Sequence, residues 1–214
     1  YFIELYQTKR VCIKIMMQNN NVGEILTSGL LNWFPWKNGA SVQFVGDCSE
    51  EFKGDILCRG VIEGTTAPFD YIIAVRTLEE AENPSEILSK LKDDLKPDGH
   101  LFLACENRLG LQYFAGDHDR YTNQVMEGIE NYPSMTYQNR KSVKGRCYAR
   151  YEIEEFLKTA GFERFRGYSI LPGLMMPQQI YSWDYLPEED LEIRYTALYN
   201  NPKNIFMDVS KVYD

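Results

Sequence analysis

The sequence predicts an α/β domain built on a mainly parallel sheet, and three observations carry that expectation. Residues 69–107 read as a buried strand, a capped helix, a tight turn and a second buried strand, the order of one half of a parallel sheet. Upstream, a polar turn at 37–39 leads into the apolar run 42–45, which ends at Gly46. Downstream, a helical pattern over 151–160 stops at Gly161 and is followed by another apolar run. With 214 residues and 44% hydrophobic content, the chain can form one sizeable domain, 1–214, with an elaboration.

Taken in order, residues 1–6 and 11–17 alternate apolar and polar residues around a polar break at 7–10, which predicts an N-terminal arm or hairpin within 1–21. Ile25, Leu26, Leu30 and Trp33 fall on one helical face and predict a helix over 22–34. After Gly46 there is room for a short helical turn around 49–52 and one strand over 55–63. Residues 71–75 form the next buried strand. Asn83, Pro84 and Glu86 then supply an N-cap, a favoured first helical residue and a capping-box acid. Ile87, Leu88, Leu91 and Leu95 recur at helical spacing, and the Lys-Pro-Asp-Gly run at 96–99 stops that helix before the strand that follows. Ile153, Phe156, Leu157 and Ala160 define the last predicted helix, with strands expected over 162–170 and 180–183. No internal repeat or low-complexity tract is evident.

A net charge of -8 and a pI near 5.0 argue against a phosphate-backbone binder, which depends on clustered Lys and Arg, so no nucleic-acid partner is expected. One local basic strip, 140–150, holds Arg140, Lys141, Lys144, Arg146 and Arg150, interleaved with Tyr148 and Tyr151; it reads either as a grip for an anion or as a solvated loop. Five scattered cysteines, Cys12, Cys48, Cys58, Cys105 and Cys147, and two histidines offer no zinc spacing and predict reduced thiols and a cytoplasmic protein. No apolar run reaches the roughly 18 residues of a membrane span, and no charged-then-apolar leader is visible. The first residue is Tyr1 rather than Met, as expected of a processed fragment or an excised domain.

The Phe-Asp-Tyr-Ile strand at 69–72, the helix after it, Lys-Pro-Asp-Gly and the hydrophobic strand beyond resemble the fourth and fifth strand units of class I S-adenosylmethionine-dependent methyltransferases. The helix and strand around 154–162 resemble that family's helix before its sixth strand, with 180–183 as the antiparallel last strand. The resemblance implies a Rossmann-like fold, reduced in its first half. Between Gly46 and Phe69 the chain is too short for the full βαβ crossover, which needs roughly 30 residues or more. It also implies an insertion or lid over 106–150, after the fifth-strand equivalent. The wording of this insertion, Asn-Arg-Leu-Gly-Leu and Met-Glu-Gly-Ile-Glu, resembles a bacterial branch joined to sugar-polymer biosynthesis modules.

The same resemblance nominates site residues. Gly46, Asp47, Cys48 and Ser49 occupy the register of the family's glycine-rich cofactor loop, in which only the first glycine is kept; Cys48 and Glu50 would crowd the cofactor there. Glu63 is the acid nearest a strand end, either a ribose contact or an exposed charge. Glu106 and His118 are candidate proton acceptors. His118 lies between Asp117 and Asp119 and reads either as a proton-transfer group or as a surface-loop residue. Asn107, Arg108 and Tyr113 are candidate substrate contacts, because open α/β sheets place ligands at the carboxyl ends of their strands. Two functions stay open. One is a degenerate domain with weak or lost S-adenosylmethionine binding and a binding or scaffold role, fused to or associated with a biosynthetic domain. The other is active methyl transfer to a small or sugar-linked acceptor. A dehydrogenase lacks both its glycine fingerprint and its matching acid.

Overall fold

The structure is a computed structural model and describes residues 2–6, 31, 33–134, 145–171 and 179–184. Its elements are β1 (Phe2–Tyr6), β2 (Ser41–Gly46), α1 (Glu50–Leu57), β3 (Ile62–Glu63), β4 (Phe69–Val75), α2 (Pro84–Asp93), β5 (Leu95–Ala104), α3 (Leu111–Phe114), α4 (Arg150–Thr159), β6 (Phe165–Leu171) and β7 (Gln179–Ser182). Among the described residues, the strands form one sheet in the order β3-β2-β4-β5-β1-β6-β7. The β3, β2, β4 and β5 half is parallel, and β1, β6 and β7 are joined by antiparallel pairings.

The central strands β4 and β5 carry continuous apolar runs, 71–75 and 101–104, because both of their faces are covered there. On one face Ile72, Ala74, Leu101 and Leu103 pack with Leu88 and Leu91 of α2 and Ile153 and Leu157 of α4. On the other, Val42, Tyr71, Ile73, Phe102 and Ala104 pack with Ile56 of α1 and with Leu31 and Phe34. Successive residues of β4 and β5 thus alternate between two cores, as a period of two requires. Each Leu or Ile side chain fully removed from water contributes about 1.5–3 kcal/mol, so the sandwiching of this sheet is the main source of stability.

Local chemistry fixes the ends of the elements. Asn83 accepts the Glu86 N–H with Pro84 in the first turn of α2, as the sequence predicts. Ser49 caps α1 by accepting the Phe52 N–H at 3.2 Å. The helix that Ser49 starts is longer than expected and overturns the strand predicted over 55–63. Asp55, Ile56 and Leu57 are helical, because Phe52 and Ile56 stand one turn apart facing the core and Asp55 pairs with Arg59 four residues on. Only Ile62 and Glu63 remain as a strand, pairing with Ser41 and Val42, so the first half of the sheet is reduced.

The Lys-Pro-Asp-Gly run is a bulge within β5 rather than a separate turn. The ladder passes from Phe69↔Leu95 to Tyr71↔His100, so an advance of two residues in β4 (69 to 71) is matched by five in β5 (95 to 100). The N-terminal segment also differs from an arm: β1 lies inside the sheet, antiparallel to both β5 and β6, whose backbone groups on the facing edges it satisfies. The second expected segment, 11–17, lies outside the described residues, as does most of the predicted helix over 22–34.

The acid of the Phe-Asp-Tyr-Ile strand is a fastener. Asp70 accepts from the Ser41 N–H at 2.8 Å, the Ser41 hydroxyl at 2.9 Å and the Lys96 ammonium at 2.7 Å, tying β4 to β2 and to the bulge. Partial burial works against its charge, but Lys96 and Ser41 outweigh it and hold the carboxyl below its ordinary value. Its contribution is therefore complete above the unfolded aspartate value of about 3.9 and is lost as pH falls through the lower folded value. Asp70→Ala should cost about 1.5–3 kcal/mol at pH 7, read from urea denaturation, and the gap between variant and parent should narrow on acidification.

Candidate functional site at the carboxyl ends of the strands

Three parallel strands end level with one another. Gly46 is opposite Val75, and Val75 is opposite Ala104, so Asp47, Arg76 and Cys105 leave the sheet side by side. The exit is stitched by the Asp47 N–H donating to the Val75 carbonyl at 2.9 Å and the Arg76 N–H donating to the Ala104 carbonyl at 2.8 Å. Gly46 has φ +77, and a Cβ there would lie 2.1 Å from the Val75 carbonyl oxygen, so glycine is required by the approach of β4 itself.

Arg76 also has a left-handed backbone, φ 52, a conformation that costs a non-glycine residue on the order of 1 kcal/mol or more. Its guanidinium lies between its two neighbours, with Nη1 3.1 Å from Asp47 Oδ2 and Nε 3.2 Å from Glu106 Oε1. From the insertion, Arg120 approaches the same two oxygens at 3.6 Å each. Two guanidiniums and two carboxylates thus form a closed quartet above the strand ends. The Arg76 side chain is 16% exposed and that of Arg120 is 49% exposed, so the quartet has a fixed inner cation and a solvated outer one.

Beneath Glu106 the polar groups are buried. Glu106 Oε2 accepts from the Tyr113 hydroxyl at 3.3 Å, and the Cys147 thiol lies 3.8 Å from both. The Cys147 N–H donates to the Tyr132 hydroxyl at 2.7 Å, which donates to Asp119 Oδ2 at 2.7 Å. Burial pushes the Cys147 thiol up to about 12 and the Tyr113 phenol well above its ordinary range, so neither supplies an anion at neutral pH. Glu79, 1% exposed, accepts the Glu106 N–H at 2.8 Å through Oε1. Burial first, and the Glu106 charge second, push its carboxyl up to about 7.

The expected site residues are distributed unevenly around this centre. Gly46, Asp47 and Glu106 meet in it, and Tyr113 supports Glu106 from below. Cys48 turns away, its thiol donating to the Val45 and Ile73 carbonyls and pushed up to about 11 by burial. Ser49 caps α1, and the Glu50 side chain is exposed and paired with Lys53. Glu63 is level with Val42, four residues before Gly46 (46 − 42), or roughly 13 Å along the strand at about 3.3 Å per residue. The sheet does not bring it to the site. His118 is exposed, while Asp119 faces inward, with one carboxylate oxygen accepting from Tyr132 and the other from the N–H groups of Tyr121 and Thr122, so this acid is committed there. Asn107 holds the following turn by accepting the Leu109 N–H. Of the basic strip, 140–144 lies outside the described residues. Arg146 pairs with Glu152 and lies over the Tyr132 and Tyr148 rings.

Arg108 is buried. It donates to Glu152 Oε2 at 2.7 Å, to the Gly128 carbonyl at 3.0 Å and to the Tyr151 hydroxyl, clasping the insertion to α4. Sequence reasoning did not single out Arg76 or Glu79 individually. Arg76 carried one usable signal, a cation placed directly after a fully buried strand; Glu79 and Glu80 are adjacent acids, and nothing local tells which is inside.

No protein-family model and no curated protein matches the sequence. Several solved structures resemble it. One is a Thermotoga maritima protein described as a S-adenosylmethionine-dependent methyltransferase and possible histamine N-methyltransferase, with 18% identity, coverage of 69% of this chain and 77% of that one, and a TM-score of 0.41. A second is the pyocyanin biosynthetic protein PhzM, with 13% identity, coverage of 73% and 54%, and a TM-score of 0.41. A third is the S-adenosylmethionine-dependent methyltransferase SibL, with 16% identity, coverage of 72% and 45%, and a TM-score of 0.37. This chain thus spans about half the length of the second and third.

Arg108→Ala should destabilise the protein by about 3 kcal/mol, because Glu152 and two carbonyls lose a buried partner. Arg108→Lys should recover less than half of this, since an ammonium cannot reproduce the fork; urea denaturation of the three proteins measures both. By its own strand order and helix placement, the chain is an α/β domain on a mostly parallel central sheet whose first half is reduced.

Proposed function

We propose that this chain is a methyltransferase-like domain whose methyl-donor site has been replaced by the Asp47–Arg76–Glu106–Arg120 quartet, and that it serves a binding or scaffold role. The observation that carries the reading is Arg76, whose guanidinium bridges the carboxyl ends of β2 and β5 where the resemblance puts the methionine portion of S-adenosylmethionine. The fit of that cofactor to the residues present is poor on three counts. Gly46 is required by the close approach of the β4 carbonyl rather than by a ligand, and no second loop glycine follows it in 47–50. Asp47 and Glu106 each already share an oxygen with two guanidiniums. Glu63, the one acid expected for the ribose, is out of register with the site.

In this reading Glu106 holds cations rather than accepting a substrate proton, Tyr113 orients it, and Asn107 and Arg108 shape and anchor the insertion. His118 has no catalytic part. The partner is a sugar-linked or other small molecule, or a fused or associated biosynthetic domain, and the insertion is the surface that meets it. No helix among the described residues is long and apolar enough to cross a membrane.

Titration calorimetry of the full chain with S-adenosylmethionine and S-adenosylhomocysteine tests the proposal. Absence of the ribose clamp alone weakens binding by roughly tenfold to a hundredfold, so affinities should lie well above the low-micromolar range. Low-micromolar affinity, with the ligand located beside Gly46, would overturn the proposal and favour active methyl transfer to a small or sugar-linked acceptor.

A further inference from the structure

We propose that Glu79 is a proton-operated latch that holds the strap 145–148 and the Tyr121 ring over the exit of β5. The latch is independent of whether the site above it takes a ligand. One residue joins the three parts. Glu79 Oε1 accepts the Glu106 N–H at 2.8 Å, and the Glu79 carbonyl accepts the Arg146 N–H at 2.9 Å. A Cβ on Gly145 would lie 2.6 Å from that same carbonyl oxygen and 2.7 Å from the Tyr121 ring, so strap, ring and Glu79 are in tight contact. The strap is held further by the Cys147 N–H on Tyr132 and by the bridge between Tyr148 and Asn107.

What makes this contact a switch is the other carboxyl oxygen. Glu79 Oε2 is buried and has no hydrogen-bond partner, an arrangement that a neutral acid tolerates and a carboxylate does not. The titratable groups that act on it are Cys105 and Glu106 from the β5 exit, Tyr121 from the insertion and Tyr148 from the strap, none of which supplies a cation. The guanidinium of Arg146 is committed to Glu152.

The sign follows from comparing closed and open strap. In the closed state the acid ionises near pH 7; once hydrated by opening, it ionises near the ordinary glutamate value of about 4.3. The closed state is therefore favoured most below about pH 4.3, loses ground by about tenfold per pH unit up to pH 7, and changes no further above it. Over the whole window the opening equilibrium rises by roughly a few hundredfold.

Native-state amide hydrogen exchange on the full chain from pH 5 to 8.5, corrected for intrinsic exchange rates, reads this directly at the Glu106 and Arg146 amides. Protection at both should fall about tenfold per unit from pH 5 to 7 and then level off, while Ile72 and Leu101 in the sheet stay flat. In Glu79→Gln the slope should vanish, and in Glu106→Gln it should persist. A flat parent profile, an equal slope at the sheet amides, or the same slope in Glu79→Gln would overturn the latch. Should Glu79→Gln fail to fold, the parent profile and Glu106→Gln still decide, because loss of the slope in the latter would move the titration to Glu106.

Discussion

The level register of β2, β4 and β5 is the constraint on which the rest of this structure depends. Parallel strands lie about 4.8 Å apart, so a side chain leaving the middle strand can reach both neighbours, whereas one leaving an outer strand reaches only one. Arg76 leaves the middle strand. Pairing Gly46 with Val75 and Val75 with Ala104 therefore decides that a single guanidinium meets an acid on each side. A slip of one residue would turn every core side chain of β4 to the wrong face and carry Arg76 with it. The double core and the ionic quartet are in this sense two results of one alignment.

The insertion is attached by a different kind of interaction. Its contacts with the body run through polar groups, Arg108 on Glu152 and Glu79 under Gly145 and Arg146, while Tyr132, between Asp119 and Cys147, ties the insertion to itself. Directional bonds of this kind specify position well but leave a heavy penalty when one member is lost or changes charge. That distinguishes the insertion from α2 and α4, whose apolar stripes tolerate small shifts at modest cost.

Much of the central sheet was legible in the sequence because its signals are local. Asn83 and Pro84 mark a helix start wherever they occur before a helical stripe, and a strand buried on both faces must be apolar without alternation. The extent of α1 was misread because its residues Asp55 to Leu57 are short of any strong signal; the deciding partner of Phe52 is Ile56 one turn later, and its burial depends on Val42 and Ile73 across the sheet. Glu63 was nominated as an acid near a strand end, but the distance from Gly46 depends on register, which the sequence does not state. The quartet was half visible. Asp47 and Glu106 follow strand ends and could be named, while Arg76 acquires its role only from the left-handed turn that throws it sideways.

The position of β1 bears on how the chain assembles. Phe2 pairs with Ala104 on one side and with Tyr168 on the other, so this strand is bounded by partners roughly 100 and 166 residues further along. Contacts of such separation close slowly. During synthesis the segment leaves the ribosome well before either neighbour exists, and both of its hydrogen-bonding edges remain open until β5 and then β6 arrive. The strand at the seam between the parallel and antiparallel halves is thus the one most exposed to wrong partners on the way to the native state, and a second copy's β5 presents the same edge that its own does.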